Sequence, residues 1–284
     1  MTPLTASRIS PAATGGVAAL GPDATALLRL LDQGFESWGT QAGALPMITP
    51  PLLPVARLAE LDYYQNFPHQ AVVAAPLRLV DAKDSYAPSD GVFAPNELEP
   101  ARLALPSAAC YGVYLHLADQ ELAAPQRITV LGRCFRREEH YEDLRRLLGF
   151  HMREIVAIGT QEYAEEHLRH FTARIEAFAD RMGLPLRREA ATDPFYDRGG
   201  PRALLQQISP VKHEFLHEDL AIASVNTHRN FFGERCAITL AGTGQPVFTS
   251  CVAFGLERWL AVLTRHFGGW AQATDAVERA LESC

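Results

Sequence analysis

The chain has 284 residues, 48% of them hydrophobic and 21% charged, with a formal net charge of −7. That length buries a substantial core, as one large domain or as two, and the composition is that of an ordinary globular protein. The acidic balance, with no basic tail or run, excludes broad sequence-independent nucleic-acid binding and disfavours a large RNA substrate. No apolar run reaches membrane-spanning length, and the opening MTPLTASRISPAATGG lacks the charged-then-apolar order of a signal peptide. Residues 1–20 therefore read as a flexible leader, and the protein as cytoplasmic with no membrane partner. Only Lys83 and Lys212 are lysines; the other basic residues are arginine. Cysteines at 110, 134, 236, 251 and 284 form an odd, dispersed set, which is no disulfide framework. Taken singly, each reads as a small buried residue.

In chain order, Asp23–Gly39 carries a helical apolar stripe at Leu27, Leu28, Leu30, Leu31 and Phe35, with Asp23 placed to cap it. A short extended segment follows, then prolines at 50, 51 and 54 and a brief helix from Val55. The prolines bar an interior sheet position, so the segment suits an edge, and an edge beside a long amphipathic helix suits a subunit interface. Gln70–Val80 has the pattern of a strand, and Asp81–Glu99 that of a polar loop. Leu103–Leu117 re-enters the core with Cys110 at a bend. Thr160–Met182 is the clearest helix: Ala164, Leu168, Phe171, Ile175 and Phe178 repeat at three and four, and Gly183-Leu-Pro stops it. Leu184–Gly200 reads as a surface connection. Strand patterns return over Val211–Ala241 and Val247–Phe254, and Gly255 opens a closing helix. The predicted fold class is α+β with a mainly antiparallel sheet.

The most informative stretch is Val130–Gly159. Two strand-like runs flank a charged segment far too long for a tight turn, and long loops inside compact domains are usually functional. Arg133, Arg136, Arg137, Arg145 and Arg146 supply planar donors suited to phosphate oxygens, and Phe150 a face on which a base stacks. A solvated tip whose acids and arginines neutralise one another is the equal alternative. A second place is CVAFGLERWL, where Gly255 permits a close bend and Arg258 lies in the first turn of a helix, a phosphate-binding arrangement.

In combination, the Pro50-Pro51 segment after a long helix, Phe135-Arg136-x-Glu138, and Gly255-x-x-Arg258 resemble the three motifs of class II aminoacyl-tRNA synthetases, in order, over roughly residues 23–265. The second match is specific: Arg146 lies four residues before Phe150, and Glu154 follows. The third is poorer in glycine, with Ala253 beside Gly255. The resemblance implies a class II synthetase-like antiparallel sheet flanked by helices, one catalytic domain over 21–284, and a homodimer. It implies ATP as substrate, with Arg136 on the α-phosphate, Arg258 on the γ-phosphate, Glu138 and Arg146 lining the nucleotide, and Phe150 on adenine. Mg2+ is implied with it.

Closer still is the zinc-carrying seryl-type branch, with the atypical seryl-tRNA synthetases and their truncated relatives, the amino acid:[carrier protein] ligases. By that resemblance Cys110, Glu154 and Cys251 hold Zn2+, leaving a fourth position for an amino acid's α-amine. The stretch Ala223–Gly233 resembles the branch's strand lining the amino-acid and Mg2+ region, with Asn226 foremost and Ser224 and His228 behind it. A polar strand end making ordinary hydrogen bonds is the alternative there.

Few residues flank the catalytic stretch, too few for a tRNA-binding arm or an anticodon domain, so tRNA is not the expected acceptor. The expected function is ATP-dependent activation of a small amino acid, glycine or alanine, and transfer to the phosphopantetheine thiol of a carrier protein. A tRNA-charging paralogue and a catalytically inactive paralogue are the alternatives. A helical insertion at about 160–205 is the candidate carrier-docking region, displaying Arg169, Arg174 and Arg181, with Arg187 and Arg188 beyond.

Overall fold

A computed structural model describes residues 15–81 and 86–282. Most of the leader, and Cys284, lie outside the described residues. In chain order the elements are helix α1 (Pro22–Gln41), strands β1 (Ala44–Met47) and β2 (Leu53–Pro54), helices α2 (Val55–Glu60) and α3 (Tyr63–Asn66), and strands β3 (Val72–Ala74) and β4 (Leu103–Leu105). Helix α4 (Cys110–His116) and strand β5 (Glu121–Leu122) lead to the long hairpin, β6 (Gln126–Phe135) and β7 (Gly149–Gly159). Then come α5 (Gln161–Met182), β8 (Arg187–Ala191), α6 (Pro201–Ile208), β9 (Lys212–His217) and β10 (Leu220–Arg229). The chain closes with α7 (Phe231–Arg235), β11 (Thr239–Leu240), β12 (Phe248–Gly255), α8 (Leu256–Phe267) and α9 (Trp270–Glu282).

Seven strands form one sheet in the order β1-β6-β7-β12-β10-β9-β8. Every pairing in it is antiparallel except β1 with β6. This is the predicted α+β class, and the proline-bounded β1 lies at the predicted edge. The back of the sheet carries α1, α5, α8 and α9 over one apolar cluster, in which Phe35, Trp38, Phe178, Phe254 and Trp259 interlock at ring distances of 4.0–6.0 Å. Each such fully buried ring contributes about 1.5–3 kcal/mol from burial. The front carries a second cluster under α4 and α7. Sheet residues alternate between the two, so each strand supplies one set of side chains to the back core and another to the front.

Four local expectations are corrected. Asp23 lies in the first turn of α1 rather than at its cap, which is Gly21, because Pro22 already occupies the opening helical position. Only Val72–Ala74 of Gln70–Val80 is strand; Pro76 follows it closely and donates no ladder hydrogen bond. Leu184–Gly200 contains β8, an edge strand paired with β9. A further helix, α9, follows the predicted closing one. The Thr160–Met182 helix matches its expectation: Thr160 caps it by accepting from the Tyr163 N–H, and Gly183 ends it at φ 66°. Among the described residues no helix is long and apolar enough to cross a membrane.

Candidate active site

Pairing in register sets the front face in rows. One row runs Val130, Glu154, Ala253, Ser224, Glu214; the next runs Ile128, Val156, Cys251, Asn226, Lys212. Toward β9 each row turns from apolar to polar, and a cleft opens above that half. Cys110 comes from above, at the start of α4. Gly132 on β6 permits this approach, since a Cβ there would lie 2.6 Å from the Ala109 Cβ.

Cys110, Glu154 and Cys251 meet: one ligand atom from each lies within 4.8 Å of the other two, and all three residues are buried. Glu154 Oε1 accepts the N–H groups of Ala109 (2.7 Å) and Cys110 (3.2 Å). Burial raises the Glu154 carboxyl above its ordinary range, and the hydrogen bonds from Cys110 and Ala109 offset part of the rise. Bonding to Cys251, with burial, pushes the Cys110 thiol well up. Two thiols and a carboxyl converging in a dry site are costly without a cation, and their donor set, S, S and O, suits zinc in tetrahedral coordination with one position open. Cys134 is also buried, yet it lies outside this trio, and burial is the largest cause of the rise in its thiol.

Two adjoining cavities occupy the cleft. The smaller, about 80 Å³, is lined by Arg136, Glu138, Arg146, Phe150, Ser224 and Arg258, all singled out in the sequence. Arg146 pairs with Glu138 at 2.9 Å, and Arg145 with Glu142 and Asp219 at 2.9 and 3.0 Å, so part of the loop is internally neutralised. Arg136 and Arg258 are different: among the described residues no carboxylate lies within ion-pairing distance of either. Arg136 Nε donates to the Ser107 carbonyl (3.1 Å), and Arg258 donates to the carbonyls of Arg145 (3.0 Å) and Ala221 (3.1 Å). Burial, with the positive charge of Arg136 adding, lowers the Arg258 guanidinium to about 10, so it is still a cation at neutral pH. Two guanidiniums without a carboxylate in contact, in one cleft, form an anion site. Gly255 has no steric need to be glycine here, since a Cβ would meet only Arg258 Cδ at 3.8 Å.

The larger cavity, about 430 Å³, has Cys110, Glu154, Cys251, Asn226 and His228 in its wall, together with the rings of Phe67, Tyr111 and Phe231. Asn226 Oδ1 is buried there without a hydrogen-bond partner. The cavities share Arg136, Met152, Lys212, Ser224 and Ala253. Sequence reasoning missed Lys212, whose ammonium lies 3.0 Å from Glu214 and 3.6 Å from Asp193 where the cavities join.

The region 160–205 is not one helical insertion. Helix α5 packs on the back face through Ala164, Phe171, Ile175 and Phe178, away from the cleft, and Arg174 donates to Gln41 and stacks over Trp38. It is α6 that borders the cleft, with Arg202, Leu205 and Gln206 in the wall of the larger cavity.

A family model described as the tRNA synthetase class II core domain (G, H, P, S and T) matches residues 97–267. Amino acid–[acyl-carrier-protein] ligase 1 of Bradyrhizobium diazoefficiens is 35% identical over 243 residues, 81% of this chain and 73% of that protein. Ligase 2 of the same organism is 34% identical over 233 residues, 78% of this chain and 69% of that protein. Among solved structures, M. kandleri SerRS in complex with A. aeolicus tRNASec superposes with a TM-score of 0.78 at 21% identity, over 95% of this chain. The chain spans 57% of that synthetase's length, and the likeness is one of fold. By the family model and the ligase identities, the chain belongs to the class II tRNA synthetase core family, in its amino acid–[acyl-carrier-protein] ligase branch.

Proposed function

We propose that the chain activates an amino acid with ATP and transfers it to the phosphopantetheine thiol of a carrier protein. The observation that carries this reading is the continuity of the two cavities. A site holding Arg136 and Arg258 opens directly onto a site walled by Cys110, Glu154 and Cys251, with Lys212 and Ser224 common to both. In the first step a carboxylate oxygen of the amino acid attacks the α-phosphorus, and the bond to the bridging oxygen of pyrophosphate breaks. Arg136 neutralises charge on the α-phosphate, Arg258 holds the departing pyrophosphate, and Phe150 stacks on adenine with Glu138 and Arg146 beside the nucleotide. Asn226 and Ser224 line the Mg2+ and amino-acid region, where the unpartnered Asn226 Oδ1 offers an acceptor. Cys110, Glu154 and Cys251 would hold zinc, which would offer the α-amine a Lewis-acid position and so select amino acids over hydroxy acids. In the second step the thiol gives up its proton to solvent, its sulfur bonds to the carbonyl carbon, and AMP leaves with the electrons of the acyl–oxygen bond.

The amino acid is small, glycine or alanine. The cavity is far larger than either needs, and the remainder takes the pantetheine arm. Docking falls to α6 rather than α5. Its Leu204, Leu205 and Ile208 are exposed, Ile208 at 83%, beside the wall of the larger cavity. Arg202 on the same helix pairs with Asp62 and flanks Phe231, giving the apolar face a basic edge toward an acidic helical partner.

The test offers labelled amino acid, ATP and either total tRNA or a phosphopantetheinylated carrier protein. Carrier charging without tRNA charging is expected, and the reverse would overturn the reading. Pyrophosphate exchange across all twenty amino acids tests the side chain; exchange only with large ones would reject glycine and alanine. Ile208→Asp should reduce carrier charging and leave pyrophosphate exchange intact.

A further inference from the structure

His228 stands beside the three converging ligands without being one of them. It lies at the irregularity where β10 shifts register against β12, between Thr227 and Arg229. Its ring lies on the front face, as Ser224 and Asn226 do, and meets Phe232 edge to face at 4.9 Å and Tyr114 at 5.9 Å. Nδ1 has two hydroxyl neighbours, Tyr114 and Thr249, each 3.2 Å away. Nε2 points the other way and lies 3.6 Å from the Cys251 sulfur.

These contacts are compatible with either tautomer of the ring, and one of the two reaches the metal ligands. Either hydroxyl donating to Nδ1 fills its lone pair, and the single proton of a neutral imidazole then resides on Nε2. That proton is aimed at the Cys251 sulfur. Charge gives the bond its purpose. Two thiolates and one carboxylate around a divalent cation sum to one net negative charge in a buried site, and buried charge needs donors. The N–H groups of Ala109 and Cys110 serve Glu154. Among the described residues no backbone N–H serves Cys251 in the same way, and once the Cys110 thiol is itself a metal-bound thiolate and no longer donates to Cys251, the donor left beside that sulfur is His228.

We propose that His228 is a positioning residue for the metal centre: its Nε2–H donates to the Cys251 thiolate, and the Tyr114 and Thr249 hydroxyls fix the tautomer that makes this possible. The inference rests on the zinc reading and adds a role that reading does not contain. Partners of this kind orient a ligand and tune the metal, and removing them typically costs about 10–100-fold in metal affinity. A histidine serving only as packing for Phe232 would not affect the metal's electronic spectrum.

The experiment compares wild-type protein with His228→Gln, which retains a side-chain N–H donor, and His228→Leu, which has none. Zinc affinity is read by chelator competition, and the sulfur-to-metal charge-transfer band by cobalt(II) substitution. His228→Leu should release zinc to chelator about tenfold more readily or worse. Its cobalt band should move to lower energy, because a thiolate without its hydrogen bond gives up electrons more easily. His228→Gln should recover part of both. Tyr114→Phe combined with Thr249→Val keeps the ring but frees the tautomer, and a smaller shift of the same sign is expected. That pair settles the matter if His228→Leu fails to fold. Wild-type affinity and an unmoved band in both His228→Leu and the tautomer pair would overturn the proposal. Failure of wild-type protein to bind zinc or cobalt at all would instead overturn the zinc reading beneath it.

Discussion

The Arg136 guanidinium sits 5.1 Å from the centre of the Phe150 ring, across the floor of the smaller cavity. One strand of the hairpin ends just before Arg136, and the other carries Phe150 at its start. Closing the hairpin therefore brings together the two groups proposed for the α-phosphate and adenine. A contact of this kind contributes only about 0.5–2 kcal/mol, so an incoming nucleotide displaces it at little cost. Arg136→Ala should lower pyrophosphate exchange by about 10²–10³-fold, and lysine should restore little of it, since a point charge does not reproduce the planar fork. Phe150→Leu should raise KM for ATP by roughly tenfold and spare kcat, the loss of a stacking face worth about 1–3 kcal/mol. Unchanged exchange in Arg136→Ala would remove it from the chemistry.

The proposed metal centre divides the cysteines into two pairs. Cys110→Ala and Cys251→Ala should each lose zinc on dialysis, since two remaining protein ligands hold the metal far more weakly than three. Cys134→Ala and Cys236→Ala should retain it, because both side chains pack in the front apolar cluster outside the converging trio. Metal analysis of the four variants decides, and full zinc in Cys251→Ala would exclude the assignment.

How much of this was legible in the sequence depended on whether one local pattern decided the outcome. The hairpin was legible because its two apolar runs and the charge between them are contiguous. So was α5, whose cap, stripe and terminating glycine all lie within one stretch. Lys212 was not. Over KHEFLHEDL polar and apolar residues alternate only loosely, and which set faces the cleft is fixed by the pairing of β9 with β10, where the register shifts between Ala221 and Ala223. A slip of one residue would bury the other set. Resemblance named Cys110 and Glu154 as partners, but their meeting depends on the missing side chain at Gly132, a contact between distant segments that no spacing expresses. The sequence offers the region of about 160–205 for docking because its arginines are conspicuous; the apolar stripe of α5 joins the back core, and α6, at the far end of that region, borders the cleft.

Lys212 should matter to the first chemical step. Its side chain is only 16% exposed, and its ammonium is held between Glu214 and Asp193 where the two cavities join. Lys212→Met leaves two carboxylates without their counter-charge beside the phosphate site. Pyrophosphate exchange should fall by roughly 10²-fold, on the scale of a lost electrostatic stabiliser, while zinc content stays constant. An exchange rate within a factor of two of wild type would rule the role out.

We expect a homodimer through α1 and the edge of the sheet. Among the described residues strand β1 pairs on one side only, with β6; Leu45 on it is 62% exposed and Ile48 just after it 95%. An open edge flanked by bare apolar side chains invites pairing, and an isologous two-fold contact covers both copies at once. Ile48→Asp should shift the dimer toward monomer in sedimentation velocity. A wild-type protein that sediments as a monomer at micromolar concentration would contradict the expectation.

The last prediction concerns pH and the back core. His167 on α5 is fully buried, donating from Nε2 to the Ile155 carbonyl (3.0 Å) and accepting at Nδ1 from Arg127 Nε (3.3 Å). Burial lowers its imidazole from 6.5 to about 3, the bond to Ile155 opposing the shift and the Arg127 charge adding to it. The unfolded chain takes up this proton near pH 6.5, the folded protein only near pH 3. Between those values the unfolded state binds more protons, so stability falls as the pH falls, by up to ~1.4 kcal/mol per pH unit from this group. Above pH 6.5 both states are neutral and the group contributes no slope. Carboxylates titrate in the same window, so the measurement is a difference. Urea unfolding of wild type and His167→Gln at pH 7 and pH 5 should show wild type losing about 2 kcal/mol more than the variant. Equal losses would mean that His167 is protonated in the folded protein at pH 5, and that the Arg127–His167–Ile155 bonding described above does not hold in solution.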